Sequence, residues 1–192
     1  MNQTARLTGA QETSLAIVAA VVTANAYYIH PIIALVADHF GVSHARIGLV
    51  PALNQLALAV GIFLLLPLGD RFSNRRLTIA FATGQTVSLA VMTFAQGFTL
   101  FVLGSTLLGF FTIAPYLLPA YASKRVAPER LGQVTAKLTA GVILGILVAR
   151  VGAGVVAEHF GWRAVYWAAT GLMLAVTLAL PRLMEGGERP AS

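Results

Sequence analysis

The chain has 192 residues, of which 57% are hydrophobic and only 10% are charged, and its mean hydropathy is +0.78. A soluble domain carries about 25% charged residues, so this composition excludes an ordinary soluble domain and indicates a membrane protein. The net charge of +6 does not indicate nucleic acid as a partner, because the basic residues lie between apolar segments and form no stripe with aromatic residues.

Six apolar segments follow a polar tail at residues 1–13. Each has the length of about 20 residues that a helix needs to cross the hydrocarbon of a bilayer. Backbone groups in lipid must be bonded within their own segment, and these segments lack the alternation of a barrel strand. The sequence therefore predicts a transmembrane bundle over residues 14–184, with helices at about 14–37, 46–68, 77–96, 98–121, 133–157 and 163–184. Residues 185–192 are expected to form a second tail or the start of a linker.

Lysine and arginine collect on one side of the predicted bundle. Ten of the 13 lie on the side of both termini, only Arg46 and Arg163 lie on the other side, and Arg150 lies inside a helix. Because basic loops stay in the cytoplasm, both termini are predicted to be cytoplasmic. The ten residues are Arg6, Arg71, Arg75, Arg76, Lys124, Arg125, Arg130, Lys137, Arg182 and Arg189.

Two loops share a pattern that indicates an internal repeat. Residues 70–75 (DRFSNR) align with residues 158–163 (EHFGWR), and the two loops follow the second and fifth predicted helices. Helices 1–3 and 4–6 are therefore predicted to be two copies of one unit. An odd number of helices per copy makes the copies run in opposite directions, which is typical of transporters. Ordinary helix-end chemistry, with a glycine after a helix, is the alternative explanation of the match.

The loop at residues 69–76 holds four formal charges in eight residues. In one interpretation its arginines only set the orientation, while Ser73 or Asn74 caps the next helix. In the other, the loop is a gate, in which its single carboxylate holds the arginines and the start of that helix in one geometry. The four charged residues are Asp70, Arg71, Arg75 and Arg76.

The segment from Leu68 to Leu77 resembles the loop between helices 2 and 3 of the major facilitator superfamily. The family motif runs glycine, three residues, Asp-Arg, any residue, glycine and then a basic cluster. The four charged residues above occupy the matching positions, whereas Leu66 and Ser73 replace the two glycines. The wider sequence is similar to the bacterial efflux-type branch, whose members resemble drug–proton antiporters. The supporting residues are Tyr27, Tyr28 and Pro31 in helix 1 and Gly161, Trp162 and Arg163 at the start of helix 6.

The resemblance covers the whole chain but only the amino-terminal half of such a transporter, since family members have twelve helices. It implies half of a major facilitator fold in the bacterial inner membrane, with membrane lipid, a small-molecule substrate and a second six-helix half as partners. Proton antiport is implied only by the similarity to a branch of antiporter-like proteins, and not by the antiporter motif itself. The helix-4 arginine of the superfamily is Ser105 here, and the run from Gly145 to Arg150 lacks the proline and glycine pair of the antiporter motif.

Polar and aromatic residues at membrane depth are the candidates for lining a cavity, because such groups normally face a bundle interior or water. The resemblance implies that helices 1, 2, 4 and 5 line it. Hydrogen bonds between helices and an aromatic belt at the headgroups are the alternative roles. The candidate cavity-lining residues are Asn25, Tyr28, His30, Asn54, Gln55, Tyr116 and Arg150.

Helix 5 carries small residues at roughly four-residue spacing, which predicts a face that another helix approaches closely. The expected packing glycines are Gly141, Gly145 and Gly152. A charge such as that of Arg150 costs about 2.5–3.5 kcal/mol near the centre of a transmembrane helix. Either this arginine snorkels or pairs with Glu158, or it takes part in substrate binding or gating.

No feature of the sequence indicates an enzyme. Cysteine is absent, the four histidines are scattered, and neither a Gly-x-Ser-x-Gly nor a His-Glu-x-x-His motif occurs. No catalytic residue, cofactor or metal site is therefore expected. The predicted function is half-length secondary active transport of a small amphipathic solute, by alternating access and in the direction of efflux. The alternative is a non-transporting fragment or membrane subunit that needs a second six-helix half.

Overall fold

The computed structural model describes residues 7–184, and all regular secondary structure in this range is helical. Ten helices form six spans that are long and apolar enough to cross a membrane, so the prediction of six transmembrane helices is confirmed. Span 1 consists of α1 and α2, span 2 of α3 to α5, span 3 of α6, span 4 of α7 and α8, span 5 of α9, and span 6 of α10. The helices are α1 (Gly9–Ala24), α2 (Ile29–Phe40), α3 (His44–Ile47), α4 (Leu49–Leu65), α5 (Leu68–Arg71), α6 (Asn74–Phe94), α7 (Phe98–Phe111), α8 (Ala114–Ser123), α9 (Pro128–Phe160) and α10 (Trp162–Leu183).

The tail at residues 185–192 and the first six residues of the amino-terminal tail, with Arg6 and Arg189, lie outside the described residues. Several helices extend beyond the predicted apolar segments, because water beyond the hydrocarbon can satisfy the backbone groups at a helix end. At the start of span 3, the hydroxyl of Ser73 accepts a hydrogen bond from the N–H of Arg76 at 3.4 Å. Ser73 is therefore the cap of this helix.

Spans 1 and 4 are each broken near mid-length, just before a proline. Pro31 has no N–H to donate to the carbonyl of Tyr27, which instead accepts a bond from the N–H of His30 at 3.3 Å. Pro115 frees the carbonyl of Phe111 in the same way, and the N–H of Ile113 donates to this carbonyl at 2.8 Å. The breaks fall in the first span of each three-span unit.

The packing has the symmetry that the repeat predicts. Span 1 packs along span 5, and span 2 packs along span 4. In the repeat, spans 1, 2 and 3 are equivalent to spans 4, 5 and 6. The contact between spans 1 and 5 is therefore equivalent to the contact between spans 4 and 2, and the contact between spans 3 and 6 is equivalent to itself. Because each unit has three spans, the units cross the membrane in opposite directions. The prediction of two inverted three-helix repeats is confirmed.

Four spans form a layer that is covered on one side only. Contacts of span 5 with span 1, span 1 with span 4, and span 4 with span 2 give the order 5-1-4-2. Span 3 packs against span 4, span 6 packs against spans 1 and 5, and spans 3 and 6 contact each other. They therefore cover the same side of the layer. The side that no described helix covers is called the open face below.

The end at which span 1 begins and span 6 ends is called the terminal side, and the opposite end is called the far side. Spans 2 and 5 therefore run towards opposite sides, as expected for equivalent helices of two inverted units.

Glycines bring span 5 into direct backbone contact with span 1. A side chain at Gly141 would collide with the backbone of Ala16, and a side chain at Gly145 would collide with the backbone of Ala20. Close approach of this kind lets two helices gain van der Waals contact in a medium that offers no hydrophobic driving force. Both glycines therefore lie at the contact between spans 1 and 5, on the face where the sequence predicts close helix packing.

Gly152 was expected to continue this contact, and that prediction is wrong. A side chain at this position would meet nothing within 4 Å. The contact instead continues at four-residue spacing through Ala149, Ala153 and Ala157, which are all buried. Neighbouring helix positions are about 100° apart, so a shift of one residue turns Gly152 away from span 1.

We expect Gly145→Ala to lower the free energy of unfolding by about 1–3 kcal/mol, because the added methyl group forces two packed helices apart. Gly152→Ala is the matched control, and it should cause no loss, since the methyl group enters open space. Thermal unfolding in detergent, followed by circular dichroism, measures both variants. Equal midpoints for the two would contradict the packing described here.

Candidate functional site

The open face carries a cluster formed by Arg150, Tyr27 and His30. The guanidinium of Arg150 lies over the ring of Tyr27, 5.7 Å from its centroid. The ring of Tyr27 stacks with that of His30, with centroids 5.6 Å apart and an interplanar angle of 24°. The Nδ1–H of His30 donates to the carbonyl of Tyr27 at 3.2 Å, which fixes the imidazole ring. The cation–π contact contributes about 0.5–1 kcal/mol at an exposed site.

Arg150 points away from span 6. Its neighbour Ala149 belongs to the buried contact with span 1, and Val148 lines a groove of about 170 Å³ that is shared with span 6. Because positions 148 and 150 lie on opposite flanks of this contact, Arg150 borders the open face. It forms no ion pair with Glu158 or with any other described residue.

Two residues of span 1 that were expected in the cavity lie elsewhere. Tyr28 is half-buried and lines the groove between spans 5 and 6. Asn25 is only 3% exposed, and its Nδ2 donates to the sulfur of Met173 in span 6 at 3.4 Å. Both side chains therefore point towards span 6. The adjacent Tyr27, which the candidate set left out, takes the position on the open face.

The candidates on spans 2 and 4 also differ in their surroundings. Asn54 is buried, and its Nδ2 donates to the carbonyl of Ser105 at 2.7 Å, so it joins span 2 to span 4 and does not line the open face. Gln55 is exposed on span 2, the outer helix of the layer. Tyr116 is 46% exposed on span 4, a central helix of the layer, and it therefore faces the open side.

The charged loop at residues 69–76 borders a cavity of about 630 Å³ at the terminal ends of spans 2, 3 and 4. Asp70, Asn74, Tyr116 and Lys124 line this cavity together with apolar residues. Asp70 is exposed, and among the described residues it forms no ion pair with the arginines of its own loop. Arg71 and Arg76 are also exposed. The gating role of the loop stays a prediction.

Arg75 binds the other three-span unit. Its Nε donates to the carbonyl of Met184 at 2.6 Å, and its Nη2 donates to the carbonyl of Pro181 at 3.0 Å. Both acceptors lie at the end of span 6, where the last carbonyls of a helix lack intrahelical donors. The first unit thus caps the last helix of the second.

Arg163 makes the reciprocal contact from the second unit. Its guanidinium donates to the carbonyls of Thr93 and Ala95 at 3.0 and 2.9 Å, at the end of span 3. It also donates to His39 Nε2 at 3.1 Å and lies over the ring of Trp162. The alignment of residues 158–163 with residues 70–75 pairs this arginine with Arg75 of the first unit. That alignment was the sequence signal for the two reciprocal helix caps, although the sequence analysis did not predict the contacts themselves.

Glu12 is a buried carboxylate that sequence reasoning missed, because it precedes the predicted start of helix 1. Its Oε1 accepts a hydrogen bond from Arg130 at 2.7 Å, and its Oε2 lies 3.8 Å from the ammonium of Lys137. The cluster ties the start of span 1 to the start of span 5. An acid in the first turn after the capping Thr8 was the available signal, since such residues favour a helix start.

An inverted repeat of six apolar spans defines a multi-pass membrane protein with the architecture that is typical of secondary transporters. Residues 15–192 match the family model of the Major Facilitator Superfamily, and the chain belongs to this family. It is 33% identical over 168 residues to the "Uncharacterized transporter YgaY" of Escherichia coli O157:H7. It is also 30% identical over 165 residues to the "Probable transporter SCO4007" of Streptomyces coelicolor.

These similarities cover 88% and 86% of this chain but only 43% and 38% of the two relatives. The chain therefore spans less than half of the length of each relative. The resemblance to the superfamily that the charged loop indicated is confirmed at the level of the family.

We expect Arg75→Gln to lower the free energy of unfolding by about 1.5–3 kcal/mol, the range for hydrogen bonds that involve a charged group. Arg76→Gln is the matched control, because the adjacent side chain is exposed and makes no side-chain hydrogen bond within the described residues. Unfolding in detergent measures both variants. If the control lost as much stability as Arg75→Gln, the cap on span 6 would not be the cause.

Proposed function

We propose that the chain is one six-helix half of a secondary active transporter that moves a small amphipathic solute by alternating access. The observation that carries the proposal is the open face of the four-span layer, in a chain of a transporter family. There Arg150, Tyr27, His30 and Tyr116 are presented to a side that no described helix covers. The inverted repeat supports rocking of one bundle against another as the transport motion.

A second six-helix half is the proposed partner at the open face. It belongs either to the same polypeptide or to a separate chain. The length of the relatives, of which this chain spans less than half, supports this assembly. Membrane lipid is the proposed neighbour of exposed apolar side chains on the covering spans, such as Val87 and Leu178.

We propose the bacterial inner membrane as the location and the cytoplasm as the terminal side. The basic residues among the described part of the chain support this orientation. Arg46 and Arg163 lie at the far side, whereas the loops and helix ends of the terminal side hold eight basic residues. Efflux is the proposed direction, and it rests on the similarity of the wider sequence, in helix 1 and at the start of helix 6, to the efflux-type branch.

Asp70 is the proposed gating residue of this half. Its carboxylate is exposed at the mouth of the 630 Å³ cavity and has no ion-pair partner among the described residues. Arg75 anchors the other end of the loop to the end of span 6, whereas the carboxylate of Asp70 is left exposed. It is therefore available to a donor of the second half when the terminal side closes.

A non-transporting subunit or fragment is the second candidate function, and the uncovered face favours it as much as a half-transporter. Flux of a panel of fluorescent amphipathic solutes into proteoliposomes separates the two. The chain is reconstituted alone and together with a second six-helix half. Flux that requires the second half is the expected result. Flux by the chain alone would remove the need for a partner, and no flux in either preparation would contradict transport.

We expect Asp70→Asn to reduce flux at least tenfold in the assembly that transports, because an amide cannot form the charged contact that closes the gate. Membrane insertion should be unchanged, since the arginines of the loop remain. Glu129→Gln is the matched control, as it removes another exposed carboxylate at the terminal side. Normal flux by Asp70→Asn would count against a gate at this residue.

A further inference from the structure

We propose that the open face binds a solute that carries an anionic group on an apolar or aromatic body, with Arg150 as the residue that contacts the anion. This inference rests on the proposed function and names the chemical class of the solute. It follows from the direction of one side chain, from the lack of an ion-pair partner for it within residues 7–184, and from the character of its neighbours.

The direction of Arg150 is set by the packing of span 5. Gly145 and Ala149 hold one stripe of this helix against span 1. Val148 and Gly152 face the groove beside span 6 on one flank of that stripe. Arg150 lies on the other flank, where it is exposed and where its guanidinium reaches Tyr27 of span 1. The arginine therefore faces the place that a solute in the open face would occupy.

No described carboxylate neutralises this cation. Glu12 is bound to Arg130 and Lys137 at the terminal side. Asp38 and Glu158 lie at the far ends of their helices, and neither forms an ion pair with a described residue. A charge inside a membrane span is costly unless it pairs with an opposite charge or faces water. An anion bound at the open face would supply the missing opposite charge.

The neighbours of Arg150 suit an apolar body attached to that anion. Tyr27 and His30 stack into a flat aromatic surface directly beside the guanidinium. Tyr116 adds an exposed phenol on the next helix of the layer. Arginine offers a planar fork that binds a carboxylate through two parallel hydrogen bonds, and the aromatic surface accepts a ring by stacking. An aromatic carboxylate combines both features.

Three probes of similar size test the charge that the site prefers. Benzoate, benzyl alcohol and benzylamine are used in radiolabelled form in equilibrium dialysis against the full chain in nanodiscs of zwitterionic lipid. Binding to empty nanodiscs is subtracted from each measurement. Saturable binding of benzoate, with none for benzylamine, is the expected result. Equal binding of the three probes, or no benzoate binding above the lipid background, would overturn the proposal.

Variants of one arginine show whether the anion binds at this site. Arg150→Gln should weaken benzoate binding at least tenfold, and Arg150→Lys should weaken it less, because the charge remains and only the fork is lost. Arg182→Gln is the matched control, since it removes an exposed arginine from the end of span 6. Equal affinity for Arg150→Gln and the control, at unchanged thermal midpoints, would overturn the assignment.

An anionic lipid headgroup offers the same chemistry as an anionic solute, and a further arm separates the two sources. Nanodiscs that contain phosphatidylglycerol should leave benzoate binding intact when the site takes a free solute. Displacement of benzoate by this lipid would overturn the solute assignment. The readout is binding and not flux, so binding that depends on Arg150 without flux would sink the transport proposal alone.

Discussion

The reciprocal contacts of Arg75 and Arg163 join the two three-span units at both ends of the pair formed by spans 3 and 6. Each arginine stands at the start of the third helix of its own unit and donates to the last carbonyls of the third helix of the other. The end of a helix leaves carbonyls without donors, which is costly next to hydrocarbon. The two caps therefore satisfy both helix ends and hold span 3 against span 6. That pair in turn covers one side of the layer formed by spans 5, 1, 4 and 2.

The uncovered side of this layer is the surface at which we propose a second six-helix half. Spans 1 and 4 occupy its centre, and both are broken near mid-length before a proline. The break in span 1 frees the carbonyl of Tyr27, to which His30 donates twice. This local arrangement builds the aromatic surface under Arg150. A local constraint on hydrogen bonding thus places an aromatic and cationic cluster on the open face where spans 1 and 5 meet.

The sequence predicted the spans, the inverted repeat and the family, because apolar length and loop patterns are properties of the chain itself. It was less successful with the direction of single side chains, since adjacent helix positions differ by about 100°. Gly152 was expected at the contact with span 1, but the adjacent Ala153 packs there. Tyr28 was expected to line the cavity, but the adjacent Tyr27 lies on the open face. Asn54 bonds to span 4 instead of facing a cavity. Only the position of neighbouring helices decides such cases, and no local pattern contains that information.

We propose that the open face lines a water-filled pathway and is not a surface in contact with lipid. The chain has no cysteine, so single cysteines at His30 and at Tyr116 report on this face without background. A third, at Leu178 on span 6, reports on the opposite surface. In native membranes, a hydrophilic thiol reagent should modify the first two rapidly and leave the third unmodified. Modification of all three at the same slow rate would contradict a pathway along the open face.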